Sequence, residues 1–120
     1  MSKKTLVLGA SPNPHRYSYI AIQRLRGAGH DVVGIGKQHG FASDVEITST
    51  LLPLEDIDTV TLYLNPLHQR PFYDYIFSLR PRRIIFNPGA ENDELYQLAL
   101  EHDILPMEAC TLVMISTGQY

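Results

Sequence analysis

Short apolar runs alternate with amphipathic stretches along the chain, and that alternation predicts the elements. Thr5-Leu6-Val7-Leu8-Gly9-Ala10 is continuously apolar and ends in small residues, as a buried parallel strand does. From Ser18 to Gly29 the apolar positions Ala21, Leu25 and Ala28 recur at helical spacing, and Gly29 is a natural stop. Asp31-Val32-Val33-Gly34-Ile35 reads as the second strand. A long connection over 37–58 follows, with a short extended piece at Val45-Glu46-Ile47 and punctuation at Pro53 and Asp56. The β-branched run Thr59-Val60-Thr61-Leu62-Tyr63-Leu64 predicts a third strand.

Phe72, Ile76 and Leu79 mark a second helix, in which Pro71 is tolerable only in the first turn. Arg83-Ile84-Ile85-Phe86 predicts a fourth strand. Asn92 can cap a third helix whose first turn carries Asp93 and Glu94, both favourable at the positive end of the helix dipole. Its buried face would be Leu95, Leu98 and Ala99. Ile104 to Met107 reads as a short fifth strand, and Cys110 to Ser116 as a brief terminal helix. Alternating strands and helices predict an α/β, doubly wound parallel sheet of about five strands, with right-handed crossovers and order 3-2-1-4-5. The 120 residues fit one domain, 1–120, with no internal repeat or linker.

Composition narrows the class. A 44% hydrophobic content and a net charge of −3 argue against disorder. Cys110 is the single cysteine, which excludes an intramolecular disulfide framework and a Cys-rich zinc site, and a reducing cytoplasm is the expected compartment. The apolar run ending at Gly9 is too short for a signal-peptide core, and no stretch approaches a membrane span. The charge is unevenly spread. Residues 1–40 carry six basic side chains (Lys3, Lys4, Arg16, Arg24, Arg26, Lys37) against the single acid Asp31, whereas the other eighty carry four basic and twelve acidic. Either this is surface scatter, or an anionic ligand sits on the first third. Nucleic acid is a poor candidate for an acidic domain without a basic, aromatic-interleaved stripe.

In sheets of this kind ligands bind beyond the carboxyl ends of the strands, where the strand order reverses, so the candidate site lies in four loops: Gly9 to Ser18, Gly34 to Gln38, Asn65 to Gln69, and Asn87 to Ala90. The stretch Gly9-Ala10-Ser11-Pro12-Asn13-Pro14-His15-Arg16-Tyr17-Ser18 is the most informative of these loops. Gly9 and Ala10 permit close backbone approach; Ser11, Asn13, Tyr17 and Ser18 surround the helix start, whose free N–H groups favour a phosphate. Arg16 adds a planar cation suited to phosphate oxygens. The loop lacks G-x-G-x-x-G and a P-loop lysine. After the second strand, Gly34-Ile35-Gly36-Lys37 offers no acid for a ribose 2′-hydroxyl; Lys37 there suits a ribose-linked phosphate, as in NADP or coenzyme A, or is a solvated loop lysine. Asn87-Pro88-Gly89 could receive pyrophosphate or amide groups or simply form a turn, and Tyr63-Leu64-Asn65-Pro66 could shape an adenine slot or simply end a strand. The histidines His15, His30, His39, His68 and His102 show neither metal-ligand spacing nor a paired nucleophile, and no residue qualifies as catalytic. Cys110 reads as a small buried residue, with a thiol role at a helix start left open.

These motifs together resemble the small stand-alone CoA-binding domain proteins, relatives of the amino-terminal domain of the succinyl-CoA synthetase α subunit. The matching features are Gly9-Ala10-Ser11-Pro12-Asn13-Pro14, Arg16-Tyr17-Ser18-Tyr19, Asn87-Pro88-Gly89-Ala90-Glu91-Asn92 and Cys110. The resemblance implies a Rossmann-like fold binding coenzyme A or an acyl-CoA, with Gly9, Ala10, Ser11 and Arg16 near the phosphates. It places Ile35, Gly36 and Lys37 near the adenosine, and Asn87, Pro88 and Gly89 beside the pantetheine arm. The chain departs from the family pattern in having Ile35-Gly36-Lys37 where relatives commonly carry a Val-Asn-Pro-like sequence, and Asn87-Pro88-Gly89 where many carry Gln-x-Gly. The synthetase's phosphohistidine and catalytic domains have no counterpart in this sequence. Alternative readings are an NADP-binding oxidoreductase subunit and a nucleotide-sensing regulatory protein; a protein partner or homo-oligomer stays open in each.

Overall fold

A computed structural model describes residues 2–120; Met1 lies outside the described residues. The strands are β1 (Thr5–Leu8), β2 (Val32–Ile35), β3 (Gly40–Ala42), β4 (Val45–Thr48), β5 (Thr59–Leu62), β6 (Arg83–Phe86) and β7 (Leu105–Glu108). The helices are α1 (Tyr17–Gly27), α2 (Pro66–Gln69), α3 (Tyr73–Leu79), α4 (Asp93–Glu101) and α5 (Thr111–Ser116), with a 3₁₀ turn at Arg70–Phe72 joining α2 to α3. All strands form one sheet in the order β3-β4-β2-β1-β5-β6-β7, parallel throughout except for the β3–β4 hairpin. This is a Rossmann-like α/β architecture. No helix among the described residues is long and apolar enough to cross a membrane.

Two expectations need correction. The sheet has seven strands, not five, because the 37–58 connection contains the β3–β4 hairpin. Each of these strands is short, and β4 shows only the single alternation Val45 in, Glu46 out, Ile47 in. The strand order also differs from the expected numbering. The third strand read from the sequence, now β5, pairs with β1 rather than with β2, while β4 takes the place beside β2. The order 3-2-1-4-5 therefore holds only when Val45–Thr48 counts as the third strand. The reversal point consequently lies between β1 and β5, and the loop after β6 stands one strand farther out.

Alternation across the central strands divides the core. Leu6, Leu8, Val60, Leu62, Ile84 and Phe86 face α3 and α4 through Ile76, Leu95 and Ala99. Val7, Ile47 and Ile85 face α1 and α5 through Ile22, Leu25 and Met114. Ala21 and Leu25 occupy the buried face of α1 as the spacing predicts, but Ala28 lies past the helix end and is exposed. Asn92 caps α4 as expected, its Oδ1 accepting the Leu95 N–H at 3.2 Å. The second helix is broken: Pro71 ends the short α2 register in a 3₁₀ turn before α3 begins.

Tyr120 covers the amino-terminal ends of β1 and β6. Its hydroxyl bonds Thr5 Oγ1, and its main-chain oxygen accepts from Lys3 Nζ and, at 2.9 Å, from Arg83 Nη2. Its ring lies 4.4 Å from the Arg83 guanidinium and 4.9 Å from the tilted His30 ring, so both a cation and an imidazole contact the phenol. His30 Nδ1 accepts the Lys3 backbone N–H at 2.9 Å, a bond available only to the neutral ring. Burial, and then the Lys3 and Arg83 charges, hold the His30 pKa below the ordinary 6.5. The unfolded chain therefore takes up this proton first. His30 contributes its full stability above about pH 6.5 and loses it progressively as pH falls below that value. Urea denaturation between pH 7.5 and 5 is expected to show falling stability, and His30→Gln is expected to flatten that slope. An equal slope in the variant would assign the pH dependence to other groups.

Candidate functional site

The loop after β1 is shaped by one carbonyl. The N–H groups of Gly9 and Ala10 both donate to Ile35 O at 2.9 Å, which requires the chain to turn sharply, and Gly9 does so at φ +91°. That turn carries the Ala10 carbonyl over Gly36, where a Cβ would stand 1.9 Å from the oxygen. Farther along, Pro12 packs on Gly40, where a Cβ would lie 2.5 Å away. The glycines after β2 and at the start of β3 thus form a floor without side chains, across which the loop passes. Ser11 Oγ accepts the Asn13 N–H at 3.1 Å, Asn13 Oδ1 accepts the His15 N–H at 3.0 Å, and Asn13 O accepts the Arg16 N–H at 3.0 Å. The loop is braced from within before α1 begins. Arg16 makes no side-chain cap, and the Tyr17 and Ser18 N–H groups have no acceptor among the described residues.

The facing wall comes from β5 and β6. Asn65 caps α2 by accepting the His68 N–H at 3.1 Å, with Pro66 at the first helical position. The fully buried Gln69 then donates to Leu64 O and Ala90 O, both at 2.7 Å, and accepts from Asn92 Nδ2 at 2.9 Å. One side chain therefore ties the loop after β5 to the loop after β6. Asn87 does the same one layer down: its Nδ2 donates to Thr61 Oγ1 at 2.7 Å and Leu62 O at 2.8 Å, and its Oδ1 accepts the Thr111 N–H at 2.9 Å.

Between these walls lies a cleft of about 790 Å³. It gathers Gly9, Ala10, Ser11, Arg16, Tyr17 and Ser18 from the first loop and helix start. Ile35, Gly36 and Lys37 join them from the loop after β2, and Asn65, Pro88 and Gly89 from the far wall. Three expected residues do not line it. Asn13 is spent inside its own loop, Pro66 starts α2, and the Asn87 side chain is turned inward with its donors and acceptor engaged. Leu67 and His68, from the expected Asn65–Gln69 loop, line it, and so do Ser49, Pro71 and Phe72, which were not expected there. The Asn65-Pro66 pair was the available signal for α2, because an N-cap Asn followed by Pro starts a helix. Ser49 required knowing that β4 pairs with β2.

Arg16 and Lys37 are exposed cations on the cleft and supply its charge. The Tyr63 phenol at its floor is buried beside Thr111 and Thr61, and that burial raises its pKa, so it stays neutral. His68 is the one histidine lining the cleft, and no group of three His, Cys, Asp or Glu among the described residues could hold a metal ion. The arrangement can neutralise an anion at the α1 start and cover an extended molecule laid across the strand ends.

A family model described as "CoA binding domain" matches residues 3–116. A crystal structure of an uncharacterized protein shares 46% identity over 100% of this chain and 99% of its own, with a TM-score of 0.97. A Thermus thermophilus protein is 21% identical over 99% of this chain and 91% of its own, with a TM-score of 0.85. A hypothetical protein from Pyrococcus horikoshii OT3 is 20% identical over 97% of this chain and 83% of its own, with a TM-score of 0.86. The last two show the fold alone. No curated protein matches.

The crossing at Gly36 is testable. Gly36→Ala is expected to destabilise by about 2–3 kcal/mol, because the Ala10 backbone must move to admit the methyl group. Gly27→Ala at the end of α1, where a Cβ meets nothing within 4 Å, serves as the control and is expected to be neutral or stabilising by up to about 1 kcal/mol. Urea midpoints of the two variants decide, and equal midpoints would remove the steric account of the loop.

Proposed function

The chain belongs to the family of CoA binding domains, and from that premise we propose that it binds coenzyme A or an acyl-CoA in the cleft at the carboxyl ends of β1, β2, β5 and β6. The observation that carries this reading is the uncapped start of α1, whose free N–H groups open on the cleft with Arg16 and Lys37. A helix start with its N–H groups unused, beside two cations, is complementary to clustered phosphates. In this reading the pyrophosphate lies along Gly9–Ser11 and the α1 start. The adenosine lies against Ile35–Lys37 and Ser49, and the pantetheine arm passes Pro88 and Gly89. Asn87 supports that arm indirectly, by holding the loop after β6 to β5.

The protein acts as a binder in this reading: the side chains around the cleft position and neutralise, and none is paired as nucleophile and base. Lys37, standing where an NAD-preferring domain has an acid, also favours a second reading, in which NADP is the ligand and Lys37 meets its 2′-phosphate.

Thermal-shift and calorimetric titrations separate the two. Coenzyme A at a hundredfold excess over its Kd is expected to stabilise the fold by about 2.7 kcal/mol. Dephospho-CoA is expected to bind more weakly than CoA if Lys37 or Arg16 meets the 3′-phosphate. Arg16→Ala, at an exposed position, should raise the Kd for CoA about tenfold without lowering the Tm of the free protein. Stabilisation by NADP and not by CoA would overturn the proposal.

A further inference from the structure

The cleft has two chemically distinct ends. Lys37, Gln38 and Ser49 furnish the side beyond β2 and β4, with Arg16 close to the α1 start, whereas Leu64, Leu67, Pro71 and Phe72 furnish the side beyond β5. Because β1 stands between β2 and β5, the two ends are about 10–15 Å apart by strand spacing. A ligand lying across the cleft therefore meets charge at one end and hydrocarbon at the other.

The apolar end is a fixed construction. Asn65 caps α2, and Gln69 pins the same turn to Leu64 O and Ala90 O. On that pinned turn Leu67 is 74% exposed. It is the most exposed large hydrophobic side chain among the described residues, and it lines this cleft. An isolated exposed leucine needs no explanation, but one that lines the cleft together with Pro71 and Phe72 adds to an apolar end that water covers at a cost.

Resting on the CoA reading, we infer that the ligand is an acyl-CoA and that its acyl chain lies against Leu67, Pro71 and Phe72. Free CoA ends in a thiol on a polar arm and leaves that apolar end in water. A hydrocarbon acyl group attached to the same head covers it, while the phosphates remain with Arg16 and Lys37.

Calorimetry on the full chain with CoA, acetyl-CoA and octanoyl-CoA tests this. Octanoyl-CoA is expected to bind at least about tenfold tighter than CoA, since shielding two methylene groups suffices for that factor. Acetyl-CoA should stay close to CoA. Leu67→Gln, at a solvent-exposed position that leaves the core untouched, is expected to cut the octanoyl advantage to about threefold or less. Lys37→Ala should weaken all three ligands by a common factor and keep their ratios. Equal affinity for CoA and octanoyl-CoA overturns the acyl inference and leaves the CoA reading standing. An octanoyl advantage that survives Leu67→Gln overturns it too, because the chain then lies elsewhere. Binding of none of the three overturns the CoA reading itself.

Discussion

The binding edge depends on a single crossing, where the Ala10 carbonyl passes over Gly36 at a separation that leaves no room for a side chain. The Ile35 carbonyl holds that crossing by accepting two successive N–H groups, and the Gly36 N–H is in turn taken by Thr48 O at 3.0 Å. Three strands thus converge on two residues. Because the crossing fixes where the loop after β1 leaves the sheet, it also fixes where α1 starts and which way its unused N–H groups point. Pro12 against Gly40 extends the same constraint to the β3–β4 hairpin, which links the edge strands to the loop that would hold phosphates.

A second constraint works on the other wall by hydrogen bonding instead of sterics. Gln69, Asn87 and Asn92 are buried amides with their polar atoms engaged, as such groups must be when removed from water. Each joins segments that are distant in sequence: Gln69 the loops after β5 and β6, Asn87 the strand β5 and the start of α5. Leaving any one of these amides half-satisfied would cost about 1–3 kcal/mol. Their burial explains why asparagine beside a binding loop is an ambiguous sign. Asn87 and Asn65 look alike in the sequence, yet Asn87 is an internal brace, while Asn65 caps α2 and still borders the cleft.

Much of the fold was legible because its central strands are apolar or β-branched runs and its helices carry clear stop or cap residues, Gly29 and Asn92 among them. Most of the cleft was legible for a related reason: in a parallel sheet every strand's carboxyl end opens on the same edge, so the loops after Leu8, Ile35, Leu62 and Phe86 had to meet. What escaped was set by pairing rather than by local pattern. Val45–Thr48 is four residues long, and its place beside β2 is decided by partner geometry, which carries no local signature. Phe72 escaped because its spacing with Ile76 and Leu79 reads as a helix face, and only the broken α2–3₁₀–α3 path brings it to the cleft.

The basic first third of the chain also takes on a different meaning once its charges are located. Of its six cations, Arg26 is committed to Asp44 through two 2.9 Å bonds and to Asp31 at 3.9 Å. Lys4 donates to Glu55 O at 2.9 Å, and Lys3 holds the Tyr120 main chain. These three close the edge of the sheet opposite the cleft. Arg24 is exposed near the far end of α1, where a cation suits the negative end of the helix dipole. Among the described residues only Arg16 and Lys37 of the six border the cleft, and neither is paired there with an acid. The bulk asymmetry is thus mostly structural, and the part that bears on a ligand reduces to two cations and one helix start. That is a small charge, but it lies where backbone geometry already favours an anion. In such a site two well-placed cations count for more than a surface excess that salt would screen.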